Sequence, residues 1–159
     1  MAGSLEEMEK RLQKLEAIDE IKRLKAKYSQ IVDGLSKEKF EECFTEDGVW
    51  DLGPAGIVKG RKAIAEMFKT VPQFQTFSVH YFVQPEIIVD GNKATGKWYM
   101  WLPATQADGV AVWSTGYEDE KYEKVNGKWL IKELKLTPIF RAPFEEGWHK
   151  KNLVGPVYK

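Results

Sequence analysis

The chain of 159 residues is poor in the side chains that do covalent or metal chemistry, with one cysteine and two histidines. Cys43 has no second cysteine to pair with, so no disulfide within the chain can form and a reducing compartment is expected. His80 and His149 stand apart, and no His-x-His, Cys-x-x-Cys or His-Glu-x-x-His spacing occurs, so no protein-built metal site is expected. Gly-x-Gly-x-x-Gly, Gly-x-x-x-x-Gly-Lys and Gly-x-Ser-x-Gly are also missing. Those absences argue against dinucleotide binding, triphosphate binding and a serine nucleophile on an elbow, and no cofactor is expected. Charge of one sign is lacking too: 24 basic residues face 24 acidic ones. Nucleic acid and anionic membrane surfaces, which need a basic face, are therefore not the expected partners. No apolar run approaches the roughly 18 residues of a membrane span, and the first thirty residues are charged and lack a secretory apolar core. The expected location is the cytoplasm.

What the chain does have is apolar bulk, 43% of residues with 13% aromatic, enough for one globular domain over residues 1–159. Its N-terminal third reads as helix. Leu5, Met8, Leu12 and Leu15, then Ile18 onward, recur at three- and four-residue spacing, as one long helix or as two broken near Ala17. Gly34 stops the pattern. SKEKFEECF, residues 36–44, reads as a second short helix with Ser36 as its cap, and Thr45-Glu46-Asp47-Gly48 as a turn. GRKAIAEMFKTV, residues 60–71, reads as a third. Strands follow: one over residues 74–90, then 93–104, then a strand returning to Val125, then one from Lys128. Asp90-Gly91, Asp108-Gly109 and Asn126-Gly127 supply the turns. The tail, residues 143–159, has no clear period. Helices first and then a meander of long strands imply an α+β domain, with helices on one face of a curved antiparallel sheet. In the first strand Phe77, Val79, Tyr81 and Val83 share one face, and Phe74 and Phe82 lie on the other with His80. Helices cover only one face, so the other is expected to bury against a second copy, as homodimer or homotrimer.

Candidate site residues are few. His80, mid-strand, has the chemistry for proton transfer near neutrality, but on composition alone it reads first as a core histidine bonded to a backbone carbonyl. Asp33 sits in the last helical turn, where the macrodipole opposes a negative charge. On a helical wheel it falls about 140° from Tyr28, outside the apolar stripe, so it reads first as a solvated acid in an Asp-Gly turn. The dipole cost leaves room for a compensating cation. Tyr28 lies on the stripe, and a buried phenol needs a hydrogen-bond partner. Arg141 is a cation among apolar residues at a strand end, suited to a ligand oxygen or to a salt bridge. Trp50, Trp98, Trp113 and Phe82 are core or interface residues unless they line a cavity, in which case the ligand is large and apolar.

IDEIKRLKAKYSQIVDG, HYFVQPEI, ATGKWYM and KYEKVNGKW together resemble the SnoaL-like branch of the nuclear-transport-factor-2-like superfamily. The pattern is most similar to its bile-acid 7α-dehydratases, with hexachlorocyclohexane dehydrochlorinases and scytalone dehydratases as further relatives. The resemblance spans about residues 15 to 135. It implies a cone of helices packed over a strongly curved antiparallel or mixed sheet around one apolar pocket. By the matching motifs it also implies an Asp33–His80 dyad with Tyr28 nearby. Such a site would take a proton from carbon beside an activating group, as a dehydratase-type lyase or an isomerase acting on a hydrophobic ring. Where those lyases place another polar residue, this chain has Met100, Trp101 and Leu102. That favours the alternative of a non-catalytic small-molecule binder or accessory protein. A protein-interaction module or the small subunit of a ring hydroxylase is a third reading, with no feature of its own in the sequence.

Overall fold

The computed structural model describes residues 4–153, so the end of the tail, residues 154–159, lies outside the described residues. One unbroken helix, α1 (Leu5–Val32), opens the chain. A capping box fixes its start: the Glu7 amide donates to Ser4 Oγ at 3.2 Å, and the Ser4 amide donates to Glu7 Oε2 at 2.9 Å. Its end is a Schellman turn. Gly34, at φ 72°, donates to the Ile31 carbonyl while Leu35 donates to that of Gln30 at 2.8 Å. No described helix is long and apolar enough to cross a membrane.

The second helix expected over residues 36–44 is only a 3₁₀ turn, Phe40–Cys43, and β1 (Phe44–Asp51) begins at once. Thr45–Gly48, which reads as a turn, lies inside that strand as an irregularity in its parallel pairing with β7 (Lys128–Pro143). Local turn chemistry yields there to partners far away in sequence. β2 (Ile57–Lys59) and α2 (Arg61–Phe68) follow. The segment read as one strand is two, β3 (Gln75–Ser78) and β4 (Tyr81–Asp90), with the break at Val79 and His80. β5 (Lys93–Gln106), β6 (Ala111–Val125) and β7 complete the sheet, and a short α3 (Gly147–Lys150) lies in the tail.

The sheet has seven strands in the order β2-β1-β7-β6-β5-β3, with β4 also on β5, and all pairs but β1–β7 are antiparallel. Period-two alternation divides it into two faces, with changes of phase at the bulges in β4, β6 and β7. Trp98, Met100, Leu102, Ala104, Val112, Trp129, Ile131 and Leu134 are buried on the concave side; Ile21, Leu24, Tyr28 and Ile31 of α1 pack with Trp129, Ile131 and Leu134, while Met100, Leu102, Ala104 and Val112 form a second cluster. The convex side carries exposed Phe77, Tyr81, Val83 and Tyr99. It also carries an aromatic cluster, in which Trp101 lies 5.2 Å from Trp113 and Phe140 lies 5.2 Å from Trp148, ring centre to ring centre.

Candidate functional site

The break between β3 and β4 and the end of α1 meet at Asp33. Asp33 is the C-cap of α1, its amide still bonded to the Ser29 carbonyl, and its carboxylate is buried, with only 6% of the side chain exposed. It accepts three contacts from one residue. The His80 amide donates to both oxygens, at 3.1 and 3.0 Å, and His80 Nδ1 lies 2.6 Å from Oδ1. The acid that the wheel places outside the apolar stripe is thus buried against an imidazole. Those donors offset the unfavourable helix dipole. The amide is available because His80 sits where the ladder is interrupted. His80 Nε2 has no hydrogen-bond partner among the described residues, and the side chain keeps 15% of its exposure. A cleft of about 620 Å³ borders Asp33, between Val32, Phe68, Val71 and Thr76.

The register carries a row across the sheet from His80. His80 falls between the Ser78–Ala104 and Tyr81–Trp101 pairs, abreast of Leu102; Leu102 pairs with Ser114, and Ser114 with Arg141. Arg141 Nη1 donates to the buried Ser114 Oγ at 3.1 Å, so the guanidinium lies toward the concave side. Burial lowers the Arg141 pKa, and no described carboxylate pairs with it. Three strand spacings of about 4.8 Å put the backbones of His80 and Arg141 ~14 Å apart along the sheet. Between them lies an apolar floor of Met100, Leu102, Ala104 and Val112, with Phe82 and Leu136 packed against it.

Phe82 joins the parts. Its ring is nearly parallel to that of His80, with centres 6.0 Å apart, and 5.8 Å from that of Tyr28. Tyr28 is 4% exposed and packs on Phe40 as well. Burial raises its pKa well above the ordinary value, with Glu118 and Glu120 adding to the rise. Trp50 and Trp98 are core residues, each 4% exposed. Trp113, expected beside a ligand, lies instead on the convex face with Trp101 and Phe144.

Beneath Phe82 is a charged group that the sequence reading missed. Lys25 Nζ donates to Glu118 and Glu120 and lies 3.7 Å from the centre of the Phe82 ring. Tyr122 donates to Glu120, and Trp98 Nε1 donates to the Tyr122 hydroxyl at 2.9 Å. All five side chains are buried. The signal was there in the alternation of β6: Glu118 and Glu120 share parity with Val112 and Tyr122, which places them inside. Desolvation opposes the Lys25 charge, but the two carboxylates outweigh it and hold its pKa above the usual value.

Two carboxylates around one ammonium leave an excess negative charge. Burial pushes the Glu118 carboxyl up to about 7, against the pull of Lys25 and helped by Glu120. From its ordinary value of 4.5 up to about 7 the folded state therefore holds a proton that the unfolded chain has lost. This contribution to stability is full below the unfolded pKa and is lost as pH rises through the folded one. Urea titrations should show Glu118→Gln removing roughly 3 kcal/mol of the decline between pH 4.5 and 8. Parallel curves for the variant and the parent would refute the assignment.

Solved structures share the fold over nearly the whole chain. A hexachlorocyclohexane dehydrochlorinase from Novosphingobium barchaimii superposes with a TM-score of 0.77 at 17% identity, covering 84% of this chain and 94% of that one. A candidate scytalone dehydratase from Novosphingobium aromaticivorans gives 0.75 at 19% identity over 92% and 96%. A nuclear-transport-factor-2-like protein with a cystatin-like fold from the same species gives 0.71 at 20% identity over 94% and 96%. The sequence profile of the SnoaL-like domain matches residues 13–135, so with its helix laid over a curved mixed sheet the chain belongs to the SnoaL-like family.

Proposed function

We propose that the protein is a cofactor-independent lyase, acting by dehydratase-type elimination on a hydrophobic cyclic small molecule, with isomerisation as the variant outcome of the same proton abstraction. The observation that carries this reading is the state of His80: Nδ1 is held by Asp33 while Nε2 has no protein partner among the described residues. A carboxylate at Nδ1 keeps the proton of the neutral ring there and leaves the lone pair on Nε2. Nε2 then takes a proton from substrate carbon next to an activating group, and Asp33 stabilises the imidazolium that results. The electron pair of the C–H bond becomes the new double bond. The group on the adjacent carbon departs with its bonding pair, and a hydroxide leaves as water by taking the proton that His80 Nε2 has just removed from carbon.

Arg141, desolvated and without a described carboxylate partner, is the group suited to the substrate oxygen on which charge develops. Tyr28, kept protonated by burial, is a second donor close to Phe82. The floor of Met100, Leu102 and Val112 suits a ring system of steroid, terpenoid or polyketide type. Elimination is the reaction named for two similar proteins, a hexachlorocyclohexane dehydrochlorinase and a candidate scytalone dehydratase, and supports this reading. Self-association through the convex aromatic face is part of the same reading, since α1 covers only the concave one.

The apolar floor also favours a second reading, a binder without turnover. A panel of cyclic β-hydroxy ketones, followed by the absorbance of the conjugated enone, separates the two. Turnover lost in His80→Ala is expected. Saturable binding with every compound recovered unchanged would replace the lyase reading by the binder.

A further inference from the structure

α1 carries two apolar stripes, not one. At 100° per residue Ala17, Ile21, Leu24, Tyr28 and Ile31 cluster on the face turned to the sheet, and all are buried. Leu5, Met8, Leu12 and Leu15 cluster about 160° away, on the opposite side. They are 82%, 50%, 56% and 63% exposed, and every residue from Ser4 to Glu16 is exposed, so the first three turns project beyond the domain. The capping box nevertheless fixes the start of this segment. The domain's own core cannot cover a stripe that faces away from it.

The spacing of that stripe names its occupant. Residues 5, 8, 12 and 15 are successive a and d positions of a heptad, which is the seam of a coiled coil. Arg11 then falls at g and Glu16 at e. In a parallel pair, position g of one helix meets the following e of the other, five residues on. Arg11 therefore faces Glu16 of a second copy, twice by symmetry. An antiparallel pair would instead bring the e positions, Glu9 and Glu16, together. Lys10 and Glu6, on the outer face, pair with each other at 2.7 Å, whereas neither Arg11 nor Glu16 has an ion-pair partner among the described residues.

We infer that the projecting half of α1 is a self-association element, which zips in parallel and in register with the same segment of a second copy of this chain. Four side chains per helix make a short seam, so the contact is weak for an isolated peptide and gains from the folded domains that anchor each helix.

The decisive test is crosslinking of the full chain. Leu12→Cys should give a disulfide-linked dimer under mild oxidation, because only a parallel, in-register pair brings the two copies of position 12 together at the seam; the native Cys43 is buried and should stay silent. Sedimentation equilibrium then tests the charges. Arg11→Glu should weaken association roughly tenfold, and the double exchange Arg11→Glu with Glu16→Arg should restore it. An oligomer held by the convex sheet face alone would show no linked dimer and no response to these charges, and either result overturns the inference. These variants lie outside the domain core, so loss of association cannot be mistaken for loss of folding.

Discussion

Replacing Lys25 by methionine is expected to destabilise the domain by about 3 to 5 kcal/mol at pH 8, the usual cost of leaving buried charge without its partner. For a domain of this length that corresponds to a fall in Tm of roughly 10–15 °C. Lys25 is the ammonium that both Glu118 and Glu120 contact, and all three side chains are buried beneath Phe82. Without it neither carboxylate can stay charged in that environment, and both must take up protons as the chain folds. The loss should therefore be smaller at pH 5, where protonation costs less. Adding Glu118→Gln and Glu120→Gln to Lys25→Met should recover most of the stability, because an uncharged cluster of similar volume carries no desolvation penalty. Urea titrations of the three proteins at both pH values measure this. A single variant that loses less than about 1 kcal/mol at pH 8 would show that the cluster is not the electrostatic centre of the core.

How the cluster escaped the sequence reading shows what local pattern can and cannot carry. On α1 Lys25 lies between Leu24 and Tyr28, in a helix dense with lysines that are solvated, and nothing local sets it apart. Its burial is decided by two acids on β6, more than 90 residues away. Period-two reading of β6 would have turned both acids inward, but only with the strand's inner face fixed in advance. The strongly periodic elements and the tight turns were legible: α1, α2, and the hairpins at Asp90-Gly91 and Asn126-Gly127, where Asn126 and Gly127 both take positive φ. What failed was local chemistry overruled by tertiary pairing. Phe40 and Phe44 resemble a helical face, yet both are buried because a 3₁₀ turn hands the chain straight to a strand beside β7. For Asp33 the wheel pointed outward, since a wheel assumes a straight helix. The break in the ladder at His80 is what offers Asp33 both an amide and an imidazole. Only the resemblance to the SnoaL-like family implied their pairing in the sequence; no periodicity did. Arg141 was legible as a cation at a strand end, and its approach to the concave side came only from the β6–β7 register.

Asp33→Asn is expected to abolish most of the proposed activity while leaving the fold in place, lowering kcat by 10² to 10⁴ with little change in KM. The amide is the same size and still offers an oxygen to the His80 backbone N–H, which now donates at 3.1 and 3.0 Å. Its NH₂ group, however, can only donate, and if it turns toward Nδ1 it selects the tautomer with the proton on Nε2. The lone pair then faces the helix end rather than the substrate, and the imidazolium loses its counter-charge as well. His80→Ala should fall to the same residual rate. The double variant should be no worse than either single one, because in the proposed mechanism the two residues act as one base. A purely structural contact would behave otherwise. Asp33→Asn would then lower Tm and leave kcat within a few-fold of the parent, and the two substitutions would add. Rates and melting temperatures measured on the same four proteins therefore distinguish a base held by its acid from a clasp that ties the end of α1 to the sheet.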